Sequence, residues 1–256
     1  MDQQEFWQIA WSGFKPFALT ATTVPGLSLS DRRLVELIGD VRNLRVLELG
    51  CGNGLLSVHL AMHGATVTAI DNVELAVANT QALARFNQVE GSVTALVMDA
   101  MDLQTLGQQF DLVVGKFILH HIEPLDTFCG VLSAALRDGG RGLFLENNSR
   151  NRILMFCRKH LTGRWSIPRY GQPDEYPFEP REVDVLRAHF DRLEVHCPEF
   201  YFFGLADDYL VRRRLAWLSK GLRAADAAVF RYAKPLHKYS YHQIVEITNR
   251  IHAPSS

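Results

Sequence analysis

From Arg45 to Gly54 the chain reads Arg-Val-Leu-Glu-Leu-Gly-Cys-Gly-Asn-Gly. An apolar run over Leu44 to Leu49 meets Gly50, Gly52 and Gly54, and a helical pattern starts at once with Leu55, Leu56, Val58 and Leu60. Strand, glycine turn and helix in direct succession can seat a ligand. Each glycine lacks a Cβ, so the backbone can turn tightly and come close to a bound group. The helix start offers unpaired N–H donors to the same group. Glu48 stands just before the turn, where a carboxylate can hold a cationic or hydroxyl-bearing part of the ligand. Asp71, Asp99 and the segment Gly115-Lys-Phe-Ile-Leu-His-His121 likewise follow strand-like apolar runs. His120 and His121 are adjacent, so they do not converge on one ion, and no His–carboxylate set at ligand spacing accompanies them. No metal is expected. One of the two is expected in the core and the other as a general base.

These residues need a scaffold, and the pattern supplies one. It predicts strands over 44–49, 66–70, 93–98, 110–114 and 141–146, with helices over 55–63 and 73–86 and from Pro124 to Leu136. Such alternation argues for an α/β, doubly wound, mostly parallel sheet, in which ligands bind at the carboxyl ends of the strands. Beyond it the sequence predicts helices over 150–161 and 182–190, a long loop over 163–180, a strand over 193–203, a helix over 205–229 and a final strand over 239–248. At the other end, residues 3–12 form an amphipathic helix with Phe6, Trp7, Ile9 and Trp11, read equally as a lid or as packing on the sheet edge. Residues 20–28 read as a mobile connection, and Ser30 as the N-cap of a helix over 31–38. The whole is expected to be one domain, 1–256, with a lid at 1–40, a ligand-binding core at 41–150 and an acceptor-side half at 151–256 carrying a helical insertion at 204–236.

Composition narrows the class. The chain has 256 residues, 47% hydrophobic and 21% charged, with a net charge of −1. These are the values of an ordinary globular protein without a global field for nucleic acid. Four cysteines without a Cys-x-x-Cys pair read as free thiols of a reducing cytosol. The amino terminus shows no signal-peptide pattern and no apolar run is long enough to span a bilayer, so a cytoplasmic location is expected.

The pattern Glu48-x-Gly50-x-Gly52-x-Gly54 resembles the signature of class I S-adenosylmethionine (SAM)-dependent methyltransferases. It departs from the dinucleotide fingerprint because Leu55 stands where the third glycine of that motif falls. The resemblance is close over residues 40–150 and holds in outline beyond them. It implies a Rossmann-like seven-stranded sheet with an antiparallel last strand and added amino-terminal and late helical caps. It also implies SAM as cofactor and S-adenosylhomocysteine as product. On this reading Gly50, Gly52 and Gly54, with Cys51 among them, pass under the methionine part and the ribose. Asp71 accepts the ribose hydroxyls, Asn72 flanks the adenine, Asp99 accepts from the adenine amino group, and Ala100 donates to the ring, with Met98 or Met101 packed on it. Lys116 and Phe117 border the methionine moiety and the acceptor. Lys116 either fixes an anionic acceptor group or is a solvent-facing charge, the reading preferred here. The segment through His120 and His121 matches the small-x-x-x-Leu-His-His stretch of the family.

Methyl transfer asks for alignment, exclusion of water and, for a hydroxyl, phenol or ammonium acceptor, a base. His120, His121 and Tyr170 are the chosen candidates, with His196 and Tyr201 behind them, and His196 is expected outside the core. The function expected is methyl transfer to an O, N or C atom of a small molecule by a monomer or homodimer. The alternative is another SAM reaction, a cyclisation or an elimination releasing methylthioadenosine. An NAD-dependent oxidoreductase and a binding protein without catalysis rank below these. A nucleic-acid substrate is not expected, because Gly-Lys-Phe-Ile occupies the place of an Asn/Asp-Pro-Pro-Tyr motif. Trp165, Tyr170, Tyr176, Tyr201, Phe202 and Phe203 read either as pocket lining or as core. The basic side of the late helix, with Arg212, Arg213, Arg214, Lys220 and Arg223, reads as a solvated face before an anionic-substrate or membrane contact.

Overall fold

The computed structural model describes residues 3–20, 28–164, 176–212 and 214–250. Strands β1 (Arg45–Leu49), β2 (Thr66–Asp71), β3 (Val93–Val97), β4 (Phe110–Lys116), β5 (Leu136–Asn147), β6 (Arg192–His196) and β7 (His242–Thr248) form one sheet in the order β3-β2-β1-β4-β5-β7-β6. The first five run parallel, and β7 enters antiparallel between β5 and β6. This is the Rossmann-like sheet expected from the alternating pattern.

Strand alternation divides the core in two. Val46, Val67, Leu112, Val114, Leu143 and Leu145 face α2 (Leu29–Ile38), α3 (Leu55–Met62) and α4 (Glu74–Phe86). Leu47, Leu49, Ile70, Val113, Phe144 and Ile247 face α5 (Leu125–Ala135) and α7 (Pro180–His189). Both faces of the central strands are covered, which is why they read as near-continuous apolar runs. Strand order reverses between β1 and β4, so a crevice opens at their carboxyl ends. Helix α1 (Gln3–Trp11) lies over α4, with the Asn79 amide donating to the Trp11 carbonyl at 3.0 Å.

Several sequence-based boundaries are corrected. The N-cap of α2 is Ser28, not Ser30: its hydroxyl accepts from Asp31 N at 3.0 Å. Ser30 is buried instead and donates to Glu199 at 2.7 Å. The strand expected over 193–203 ends at His196, because Pro198 follows and the aromatic run behind it turns into a cap. The helix expected over 205–229 is three pieces: α8 (Phe203–Ala206), a π-turn (Asp207–Val211) and, after Arg212 at φ 54°, α9 (Ala216–Tyr232). A 3₁₀ segment (Lys234–Tyr239) leads into β7, which therefore starts later than expected. Helix α6 (Arg152–His160) starts at Asn151, whose carboxamide oxygen accepts from Ile153 N and Leu154 N. The connection expected at 20–28 and most of the loop expected at 163–180 lie outside the described residues. Among the described residues no helix is long and apolar enough to cross a membrane.

Candidate functional site

A cavity of about 400 Å³ opens at the crevice between β1, β2 and β4. Its floor is the glycine turn. Gly50 and Gly52 adopt φ 65° and 53°, where L side chains are strained. A Cβ at Gly50 would lie 2.9 Å from Ile118, and one at Gly52 would lie 3.0 Å from the Trp11 ring. At Gly54 a Cβ would stand 2.7 Å from the Thr80 backbone, so the absence of a side chain here serves the close packing of α3 on α4. Cys51 lines the cavity beside its neighbours. Its thiol is buried, accepts from the Thr80 hydroxyl at 3.4 Å and is pushed well above the ordinary thiol range by that burial, so it is a packing group rather than a nucleophile.

The acidic groups stand where the strands end. Asp71 accepts from Gly52 N at 2.9 Å, which ties the end of β2 to the glycine turn, and from Val73 N at 3.0 Å just ahead of α4. Each of its oxygens retains a second acceptor site. Burial raises its carboxyl pKa against these bonds. Glu48 lines the cavity, is buried, and takes a hydrogen bond from Ser57. Burial lifts it to about 7, opposed by Ser57 and by the positive charge of Lys116. Asn72, Asp99, Ala100, Met98 and Met101 line the far wall. Asp99 also accepts from Met101 N at 2.8 Å and so caps the 3₁₀ helix Ala100–Leu106.

The segment after β4 forms the opposite wall. Lys116 and Phe117 both line the cavity. The preferred solvated reading of Lys116 is corrected: its ammonium pairs with Asp31 of α2 at 2.5 Å. Phe117 holds φ 54°, a left-handed conformation unusual outside glycine, and its N–H donates to Leu145 O at 2.7 Å. Such strain collects at functional sites. The next residues are fixed by Glu146, at the end of β5 and 0% exposed. Its carboxylate accepts from Ile118 N at 2.9 Å, from Leu119 N at 2.8 Å and from His120 Nδ1 at 2.6 Å. His120 is thereby buried, and it does not line the cavity. His121 does, with its ring 4.1 Å from that of His120 and edge-on to Trp7 at 6.2 Å. The pair divides as the sequence suggested, one in the core and one at the cavity.

Trp7 and Trp11 of α1, stacked at 5.8 Å, complete the rim. Sequence reasoning saw these aromatics but placed no site residue there, and it missed Glu146, which the rule of strand ends would have found. Tyr170 and Trp165 lie outside the described residues. Tyr201 donates to Asp208 within the late cap, and His196 pairs with Glu246 at 2.8 Å on β7; neither lines the cavity. Among the described residues, Glu194, His196 and Glu246 are the group whose spacing could hold a metal, and Arg192 and Arg141 already pair with the two glutamates. Tyr176 is exposed, and neither Phe202 nor Phe203 lines the cavity.

Comparison with known proteins follows this geometry. A family model described as a methyltransferase domain matches residues 46–140, the span of β1 to β5 that carries the cavity. A ubiquinone biosynthesis O-methyltransferase of Rhizobium rhizogenes is 32% identical over 173 residues, covering 66% of this chain and 67% of that protein. Other curated relatives of the same description are covered less fully: the chain spans about half their length, 57%, 57% and 48% of three of them. Among solved structures, magnesium protoporphyrin IX methyltransferase (ChlM) from Synechocystis PCC 6803 with bound SAH matches with a TM-score of 0.54 at 19% identity, over 86% of this chain and 81% of that one. The cyclase SpnF matches with a TM-score of 0.59 at 17% identity, over 97% and 95% of the two chains. At such identities the likeness is one of fold.

Proposed function

The chain belongs to the class I S-adenosylmethionine-dependent methyltransferase family, and from that premise we propose that it transfers the methyl group of SAM to a small-molecule oxygen acceptor. One observation carries the reading: the glycine turn, Glu48, Asp71 and Asp99 meet around a single cavity whose remaining wall presents His121. The cavity has the size of a small-molecule site. Its floor leaves no room for a Cβ, its buried carboxylates suit an ammonium and a pair of hydroxyls, and Asp99 with Ala100 suits the edge of a base. The residues present fit SAM.

Bound SAM supplies a methyl group on an electrophilic sulfonium. The chain supplies the rest. Glu48 holds the amino group, Asp71 the ribose hydroxyls and Asp99 the adenine amino group, with Asn72 flanking the ring. Trp7 and Trp11 cover the floor and exclude water, which makes α1 a lid. His121 takes the proton from the acceptor hydroxyl as the bond forms. Its orientation is set from behind by the His120 ring, itself locked by Glu146. The choice of oxygen rests on the likeness to ubiquinone biosynthesis O-methyltransferases. The acceptor side is the half after Asn147. The acceptor itself is a small molecule rather than nucleic acid, and the working unit is a monomer or homodimer.

Calorimetry with S-adenosylhomocysteine tests the site. The wild type is expected to bind, and Gly52→Val to bind on the order of a hundredfold more weakly, because a β-branched side chain at φ 53° meets the Trp11 ring. Equal affinity in both proteins would move the cofactor elsewhere. Labelled SAM offered with hydroxylated aromatic acceptors then tests the chemistry. Methylthioadenosine in place of a methylated product would redirect the reading to cyclisation or elimination.

A further inference from the structure

Charge is distributed very unevenly along this nearly neutral chain. Residues 150–164 and 201–240 hold thirteen Lys and Arg and three Asp, while the remainder holds fourteen Lys and Arg and twenty-five Asp and Glu. Even those three acids are turned inward: Asp226 accepts from the backbone of Phe202, Phe203 and Gly204, Asp207 is buried on Ser219, and Asp208 takes the Tyr201 hydroxyl. The outward charge of this region is therefore almost purely positive.

The same region carries the apolar exposure. Of the sixteen large hydrophobic side chains exposed among the described residues, nine lie in these two segments. On α6, Ile153 and Phe156 are each 61% exposed, one turn apart on one stripe, with Arg152 and Lys159 exposed beside them. No residue of α6 is fully buried. The 3₁₀ segment after α9 repeats the mixture, with Leu236 exposed between Lys234 and Lys238. Arg231 lies over the Tyr232 ring at 5.4 Å, and Lys238 over Tyr239 at 5.2 Å, so cations and aromatic rings sit at one level. A hydrogen bond and a ring stack join these elements: the Asn151 amide, at the start of α6, donates to Tyr239 O at 3.0 Å, and His237 stacks on Phe230 at the end of α9 at 4.4 Å.

A basic surface alone would be a solvated face, and its charge alone would suit any polyanion. Exposed Ile and Leu side chains between the cations decide otherwise. A phosphodiester backbone offers them nothing, whereas the boundary between lipid headgroups and acyl chains accepts the apolar tips while anionic headgroups meet the cations. We propose that the surface formed by α6, the segment Lys234–Tyr239 and the end of α9 docks this protein on an anionic lipid bilayer. The surface begins directly after β5, the strand whose Glu146 fixes the histidine pair, so docking sets the acceptor side of the chain against the membrane.

Flotation with vesicles tests this on the full chain. Binding is expected to vesicles of phosphatidylcholine with phosphatidylglycerol, not to phosphatidylcholine alone, and is expected to fall as salt rises. Ile153→Asp with Phe156→Asp should weaken vesicle binding on the order of tenfold, and so should Lys234→Glu. Both variants should keep wild-type S-adenosylhomocysteine affinity, which shows that they fold. No vesicle binding, equal binding to neutral vesicles, or a double variant that binds like the wild type would each overturn the proposal. So would displacement of the protein from vesicles by inorganic phosphate or by a single-stranded oligonucleotide as readily as by anionic vesicles.

Discussion

The half that holds the cavity and the half that follows Asn147 are built by different rules. Between β1 and β5 the fold is made of parallel strands buried on both faces, and the site comes from what each strand does at its end: glycines turn, Asp71 holds the turn, Asp99 caps, Glu146 clamps. The bonds from Gly52 to Asp71 and from Ile118 and Leu119 to Glu146 join the ends of neighbouring strands, while Asp99 acts locally. After Asn147 the order comes instead from single buried polar groups that reach far along the chain. Asp226 of α9 collects three backbone donors at Phe202–Gly204, and Asn148 and Asn151 hold the carbonyls of the 3₁₀ segment about ninety residues later. A fixed cofactor suits rigid local geometry. A half pinned at few points can be rebuilt without disturbing that geometry.

That contrast breaks most easily at Asp226. Asp226→Ala leaves three backbone donors without their acceptor and is expected to cost about 3 kcal/mol or more. Hydrogen exchange should quicken across 202–232 while affinity for S-adenosylhomocysteine stays at the wild-type value. A parallel loss of cofactor affinity would show the two halves to be one unit.

Glu48 sharpens the comparison from the other side. Burial raises its carboxyl from 4.5 to about 7, so the folded chain prefers the proton there. Its contribution to stability is complete below about pH 4.5 and is lost as pH rises towards 7. Above that, the ionised buried carboxylate costs on the order of 3 kcal/mol in the ligand-free protein. Glu48→Gln should flatten this part of the curve, seen as a urea midpoint that no longer falls between mildly acidic and neutral pH. The expected cofactor ammonium favours the ionised form, so ligand binding below pH 7 should release a proton, measurable by calorimetry in buffers of different ionisation heat. Identical curves for wild type and variant would mean that Glu48 is ionised in the apo fold.

The smallest expected effect belongs to α1. Trp11→Ala removes the ring that rests on Gly52 and should lower turnover about tenfold while cofactor affinity changes less. Full turnover on the native acceptor would reduce α1 to a packing element.

The same division explains what could be read in the sequence. The turn at Gly50 and Gly52 and the acids after β2 and β3 are local patterns, and the cavity has them where the chain order implied. At Gly54 the sequence does not show the second demand on the glycine, the close approach of Thr80. Ser28 and Ser30 are equally good caps by type; only the burial of Ser30 on Glu199, across 169 positions, separates them. The Lys116–Asp31 pair and the His120–Glu146 pair are contacts between distant elements, which no spacing rule encodes. In the late cap the aromatic run after Pro198 has strand propensity, and the three-piece helix follows from Asp207 being drawn inward to Ser219.

The place of β7 bears on how the molecule is made. It follows β6 in the chain yet lies inside the sheet, hydrogen-bonded to β5 on one side and to β6 on the other. A ribosome therefore delivers the strand inside this edge after the edge strand itself. Until residues 242–248 emerge, β5 presents an unpaired flank and β6 has no neighbour at all, although β1 to β4 can already have closed around the cavity. Synthesis thus yields a nascent chain whose cavity-bearing strands can pair before the sheet is complete, and whose open flank needs shielding from other chains until the seventh strand slides in.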